Sequence, residues 1–144
     1  MTEISASGTM KPETPERQGV IINKKKSPLY KSFGYAFYGI YSVIKKERNM
    51  KIHCGAAILV IIFGIWLSIS KAEWIACLIQ IALVMSLEMV NTAVESTVDL
   101  VTEEKDPRAK LAKDAAAGAV LTAAIFSFFF GGMIFLPKIA ALLV

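Results

Sequence analysis

The sequence predicts an all-α integral membrane fold, in which an N-terminal amphipathic surface helix precedes three transmembrane helices. Three observations carry this. Of the 144 residues, 55% are hydrophobic, and the mean hydropathy is +0.53. The charges gather in a few blocks and leave three apolar runs, each near the ~20 residues that cross ~30 Å of hydrocarbon. Polar residues inside the second run share one helical face. A chain of this length makes one small bundle.

Residues 1–28 combine Ser, Thr, Pro, Glu and Lys with few large apolar groups. They bury too little to offset the entropy of ordering, so a disordered cytoplasmic tail is expected ahead of a membrane domain over 29–144. No apolar stretch precedes residue 29, so no cleavable signal peptide is expected. Over about 29–47, Leu29, Phe33, Ala36, Phe37, Ile40 and Ile44 recur at helical spacing, with Lys31, Tyr38, Ser42 and Lys45 on other faces. An interfacial amphipathic helix fits, and a cytosolic helix packed on protein is the alternative. The spans follow at about 52–70, 74–99 and 114–136.

Ten of the sixteen Lys and Arg precede the first span and four more (Lys105, Arg108, Lys110, Lys113) lie between the second and third. By the positive-inside rule both regions are cytoplasmic, so the N-terminus is inside and the C-terminus external, in a plasma membrane. The net charge of +4 thereby reads as topology and attraction to anionic lipid, with no nucleic acid as partner.

The second run contains Glu88, Asn91, Glu95 and Asp99. At ~100° per residue all four fall within roughly 60° of one line along the helix, and such residues inside a span mark function by default. If Trp74 marks the outer interface, Glu88 lies ~21 Å further along, several Å short of the inner hydrocarbon edge, at the depth of a lipid hydroxyl. Glu95 is ~10 Å beyond it, where a water-soluble phosphate donor can sit. Desolvation suits Glu88 to accepting a proton, whereas Glu95 and Asp99 stay anionic near water and able to hold Mg2+. Glu47 supplies an acid on a second helix, the loop Glu103–Arg108 can cover a ligand, and Lys113-Asp114 opens the third span with Asp114 as cap and Lys113 as a point charge for phosphate. Each of these three has a bland reading too: a solvated helix end, a linker and a positive-inside anchor.

Cys54 and Cys77 begin their spans on opposite sides of the membrane, too far apart to bridge. His53, beside a membrane boundary, reads as a polar anchor more readily than as a ligand. No Walker A sequence, Gly-rich dinucleotide loop, CxxC pair or nucleophile elbow occurs, so nucleotide chemistry must use another kind of site.

The pattern Glu88-x-x-Asn91-Thr92-Ala93-x-Glu95-x-x-x-Asp99, followed by Lys113-Asp114-Ala115-Ala116-Ala117-Gly118-Ala119-Val120, resembles the small bacterial membrane lipid kinases, prokaryotic diacylglycerol kinase and undecaprenol kinase. The resemblance covers roughly Ser32 to Lys138. It implies a homotrimer of three-span subunits with sites shared between neighbours, transferring phosphate from ATP to a membrane lipid. Glu88 then resembles the general base, Asn91 a polar support, and Glu47 and Glu95 the pair that holds Mg2+. Tyr35, Lys113 and Asp114 resemble nucleotide contacts, and Trp66 a membrane-embedded tryptophan near the lipid. Glu104, Lys105 and Asp106 occupy the nucleotide-contacting stretch with identities that depart from the diacylglycerol kinase pattern.

Glu47-Arg48-Asn49-Met50-Lys51-Ile52-His53 and Gly132-Met133-Ile134-Phe135-Leu136-Pro137-Lys138 resemble the undecaprenol kinase branch, which implies undecaprenol as acceptor and leaves diacylglycerol as the alternative. Both present a primary hydroxyl on long hydrocarbon chains. The competing class is a small ion-coupled transporter with Glu88 and Glu95 as relay sites. Ala115, Ala119 and Ala123 recur at the small-xxx-small spacing that permits close helix approach.

Overall fold

The computed structural model describes residues 28–143. The tail over 1–28 therefore falls, except for Pro28, outside the described residues. Four helices make up the rest: α1 (Leu29–Lys46), α2 (Arg48–Trp66), α3 (Lys71–Val101) and α4 (Pro107–Leu142). The last three are long and apolar enough to cross a membrane. α3 and α4 form the main packed pair, α2 lies against α3, and α1 meets the start of this bundle.

α1 and α2 are separated by one residue. Glu47 is extended (φ −84°, ψ 127°), while its N–H still donates to the Val43 carbonyl at 2.8 Å. The chain changes direction there without losing the terminal hydrogen bond of α1. Met50, in the first turn of α2, is fully buried. Along α1 only Gly39, Ser42, Val43 and Ile44 are half-buried, whereas Tyr30, Phe33, Tyr35, Phe37, Tyr38 and Tyr41 are exposed. The subunit itself does not cover this aromatic surface.

α2 begins at Arg48 and ends at Trp66, a shift of the expected 52–70 segment towards the N-terminus. The end is a Schellman turn: Ile69 N–H donates to the Gly64 carbonyl at 3.1 Å and Ser68 N–H to the Ile65 carbonyl at 3.2 Å. It places Ser68 in the left-handed region, φ 49°, where glycine is the usual occupant. α2 and α3 touch closely just here. A Cβ on Gly64 would lie 2.8 Å from the Trp74 ring, so glycine is what admits the indole.

α3 opens with a capping box. Glu73 N–H donates to Ser70 Oγ at 3.3 Å, and Ser70 N–H donates to Glu73 Oε2 at 2.6 Å. Glu73, at the start of α3, also pairs with Lys138 near the end of α4 at 3.2 Å, tying those two ends together. Its 31 residues reach ~46 Å, longer than ~30 Å of hydrocarbon, so an end must leave the membrane. The buried stripe of α3 is Cys77, Val84, Glu88 and Asn91, apolar first and polar afterwards.

α4 starts at Pro107, well ahead of the expected residue 114. Asp106 is its N-cap, accepting from Arg108 N–H at 2.7 Å, with proline in the first turn. Asp114 is thus not the cap; it lies one helical segment inside and pairs with Lys110. Val120 and Ala123 are the buried residues of α4, and Ala115 and Ala119 are exposed. Ser127 Oγ donates to Gln80 Oε1 at 3.2 Å, a cross-helix hydrogen bond of the kind that contributes about 0.6 kcal/mol in a bilayer.

Candidate active site

Glu88 is the largest buried polar side chain among the described residues, 2% exposed, and its Oε2 has no hydrogen-bond partner. An orphaned buried carboxylate oxygen is costly and calls for an explanation, such as a ligand. It borders a cavity of about 230 Å³ between α2, α3 and α4, lined by Asn49, Ile52, His53, Glu88, Asn91, Ala117, Val120, Leu121 and Ala124. The small Ala117 and Ala124 of α4 leave this space, and no Lys or Arg borders it.

Asn91, one turn on, is 6% exposed. Its amide donates to Glu95 Oε1 at 3.0 Å, and its Oδ1 is buried without a partner. Glu88, Asn91 and Glu95 lie along one face, running from buried to half-buried, and the last two are hydrogen-bonded. The backbone carbonyl of Glu88 accepts from Thr92 Oγ1 at 3.0 Å, so the helix stays closed at this polar stretch.

Glu47, at the α1–α2 break, is half-buried and lies within electrostatic range of Glu88, as do Glu95 and His53. Among the described residues no group of three or more His, Cys, Asp and Glu side chains could hold a metal ion. The arrangement suits a cation that is completed by phosphate and water rather than by a closed protein cage, which is how Mg2+ is usually bound.

The remaining candidates are less gathered. Lys113 pairs with Asp99 across the α3–α4 junction, which brings the third carboxylate of the stripe and the candidate phosphate cation together. Asp114 is held by Lys110. Asp106 is engaged by Arg108, whose guanidinium together with its backbone N–H holds the Asp106 carboxyl below the usual carboxylate range. Glu104 donates its N–H to Thr102 Oγ1 at 3.1 Å and is exposed, as is Lys105. Tyr35 is 68% exposed on α1 and does not border the cavity. Trp66 closes α2 beside Phe63, with ring centroids 6.0 Å apart. It stands ~20 Å along the helix from His53, so it shares no wall with Glu88.

Two cavity residues escaped the reading of the sequence as site residues, Asn49 and His53. They are four apart on α2, hence on one face, and that spacing was the available signal. His53 borders the cavity and is half-buried, a placement its neighbours in the sequence do not give.

Residues 34–135 match the family of prokaryotic diacylglycerol kinases. The chain is 46% identical to the undecaprenol kinase of Bacillus subtilis over 110 residues, 76% of this chain and 89% of that protein. It is 40% identical to the diacylglycerol kinase of Synechocystis over 78% of this chain and 65% of that protein. With the diacylglycerol kinase of Haemophilus influenzae it shares 32% identity over 74% of this chain and 92% of that one. This decides for a kinase over an ion-coupled transporter. The all-helical fold with its intramembrane carboxylate and the matched length agree: the chain belongs to the prokaryotic diacylglycerol kinase family and is a multi-pass membrane lipid kinase.

Proposed function

We propose that this kinase transfers the gamma-phosphate of ATP directly to the primary hydroxyl of undecaprenol, with Glu88 as general base. The observation that carries the reading is the unpartnered Glu88 Oε2 at the wall of a cavity inside the bundle. Glu88 takes the hydroxyl proton as the lipid oxygen bonds to the gamma-phosphorus, the bond from that phosphorus to the bridging oxygen breaks, and ADP leaves. No covalent enzyme intermediate is needed. In-line transfer between two held reactants depends chiefly on positioning and charge stabilisation.

Glu47 and Glu95 are the proposed ligands of Mg2+, with Asn91 fixing the Glu95 carboxylate through its 3.0 Å hydrogen bond. Bound there, Mg2+ would offset charge on the phosphate oxygens. Lys113 adds a positive charge once ATP displaces Asp99 from it. Tyr35, Glu104, Lys105, Asp106 and Asp114 are proposed nucleotide contacts, and Trp66 a contact for the lipid chain. A homotrimer is supported by the groove of about 510 Å³ between α3 and α4, where Ala119 and Ala123 sit among Leu83, Leu87, Phe126 and Phe130. Small residues there permit a neighbouring helix to approach closely. An N-terminus in the cytoplasm and a C-terminus outside are supported by the basic residues ahead of α2 and around the α3–α4 loop.

Undecaprenol is favoured because the relative that carries that name shares 46% identity with this chain. The test gives purified protein MgATP with undecaprenol or diacylglycerol in separate mixed micelles and measures phosphorylated lipid. Faster turnover of undecaprenol supports the assignment. Preference for diacylglycerol transfers the mechanism to the other lipid, and phosphorylation of neither overturns the function.

A further inference from the structure

The cavity beside Glu88 contains an imidazole that the proposed chemistry leaves without a task. His53 projects from α2 into the wall that Glu88 borders from α3. Glu88 Oε2 lacks a hydrogen-bond partner, although it is buried. Donors that could serve it from the cavity wall are few. One N–H of the Asn91 amide is engaged by Glu95, and no Lys or Arg borders the space. Besides the second N–H of Asn91, the donors on the cavity wall are His53 and Asn49.

A base in a low-dielectric cavity needs a fixed orientation, because a carboxylate free to rotate presents either oxygen to the acceptor. Catalytic carboxylates and imidazoles are commonly oriented by a further hydrogen-bonding group. Resting on Glu88 as the base, we infer that His53 is a positioning residue: no hydrogen bond joins the two side chains in this structure, and when the lipid fills the cavity they share, the His53 ring N–H donates to one oxygen of the Glu88 carboxylate and keeps the other turned to the lipid hydroxyl. Asn49, one turn earlier on the same face, closes the polar side of the cavity above it. The chain contains a single histidine, so this group has no substitute elsewhere.

The test uses the full-length protein in mixed micelles with saturating MgATP and undecaprenol or diacylglycerol, whichever lipid it phosphorylates. His53→Ala should lower kcat by roughly ten- to a hundredfold through misplacement of the base, while KM for MgATP stays within about twofold. His53→Gln and His53→Asn retain an N–H donor, and at least one should recover most of the loss. In a Glu88→Gln background, His53→Ala should cost nothing more, because a residue that acts through the base has nothing left to orient. Thermal unfolding of each variant reports folding separately. Multiplicative losses in the double variant, a kcat for His53→Ala near that of the parent, or equal loss in the Ala, Gln and Asn variants would each overturn the inference. Near-normal turnover of Glu88→Gln alone would instead remove Glu88 as base, so the two failures are told apart.

Discussion

Replacing Glu88 by Gln keeps the size and hydrogen-bonding capacity of the side chain and removes its ability to accept a proton. If Glu88 is the base, turnover should fall by on the order of a hundredfold or more, about 2.7 kcal/mol in the activation barrier. Affinity for MgATP should move little. The proposed ligand Glu95 lies two helical turns further on, ~10 Å along α3, and keeps its own hydrogen bond to Asn91. Stability should rise, since the exchange turns an unpartnered buried carboxylate into a neutral amide. The assay measures lipid phosphorylation, nucleotide affinity and thermal unfolding on one preparation. A variant with near-normal turnover would refute the role, and loss of nucleotide affinity in parallel with turnover would place Glu88 among the phosphate-side groups.

Other predictions address the metal, the scaffold, acid sensitivity and topology. Glu95→Gln should weaken MgATP binding and raise the Mg2+ concentration needed for half-maximal activity, and an unchanged Mg2+ titration refutes the ligand assignment. Gly64→Ala drives a methyl to within 2.8 Å of the Trp74 ring and should destabilise the bundle by about 1–3 kcal/mol, read as a lower midpoint of unfolding in detergent. Asp106 titrates below the ordinary carboxylate value because Arg108 holds its anion, so its stabilising effect is present above about pH 4 and lost as pH falls through the lowered value. The stability advantage of the parent over Asp106→Asn should thus vanish in acid and not in alkali. Reporters fused before Met1 and after Val144 should be cytoplasmic and external respectively, and the same location for both refutes three crossings.

The polar stripe was legible because an intramembrane carboxylate is expensive and its spacing along a helix is fixed by geometry. Glu88, Asn91 and Glu95 could be joined on that basis alone. Helix ends were harder. Ser68 takes a left-handed conformation that glycine normally signals, so the apolar Leu67-Ser68-Ile69 stretch read as more of the span. At α4 the sequence did carry its signal, Asp106-Pro107, a capping acid before a first-turn proline, but hydropathy drew attention to the later apolar run. The partnering of Lys113 with Asp99 joins residues on different helices, a consequence of how α3 and α4 cross that no local pattern contains. His53 looked like an anchor because its neighbours in the chain are polar on one side and apolar on the other; only the packing of α2 against α3 turns it inward.

The fastenings of the bundle lie unevenly along its length. Glu73 shares the cap of α3 with Ser70 and also grips Lys138 of α4, and beside it the Trp74 ring fills the space above Gly64. At the other end the described ion pairs are largely exposed, and a cavity replaces side-chain contact. Local opening therefore has a direction. Amide hydrogens around Gly64–Trp74 should outlast those of α1 and the α3–α4 loop in exchange experiments. On the proposed topology that direction starts at the cytoplasmic edge, the side on which a lipid moving sideways through the bilayer would reach Glu88, while the Gly64–Trp74 end keeps the helices together.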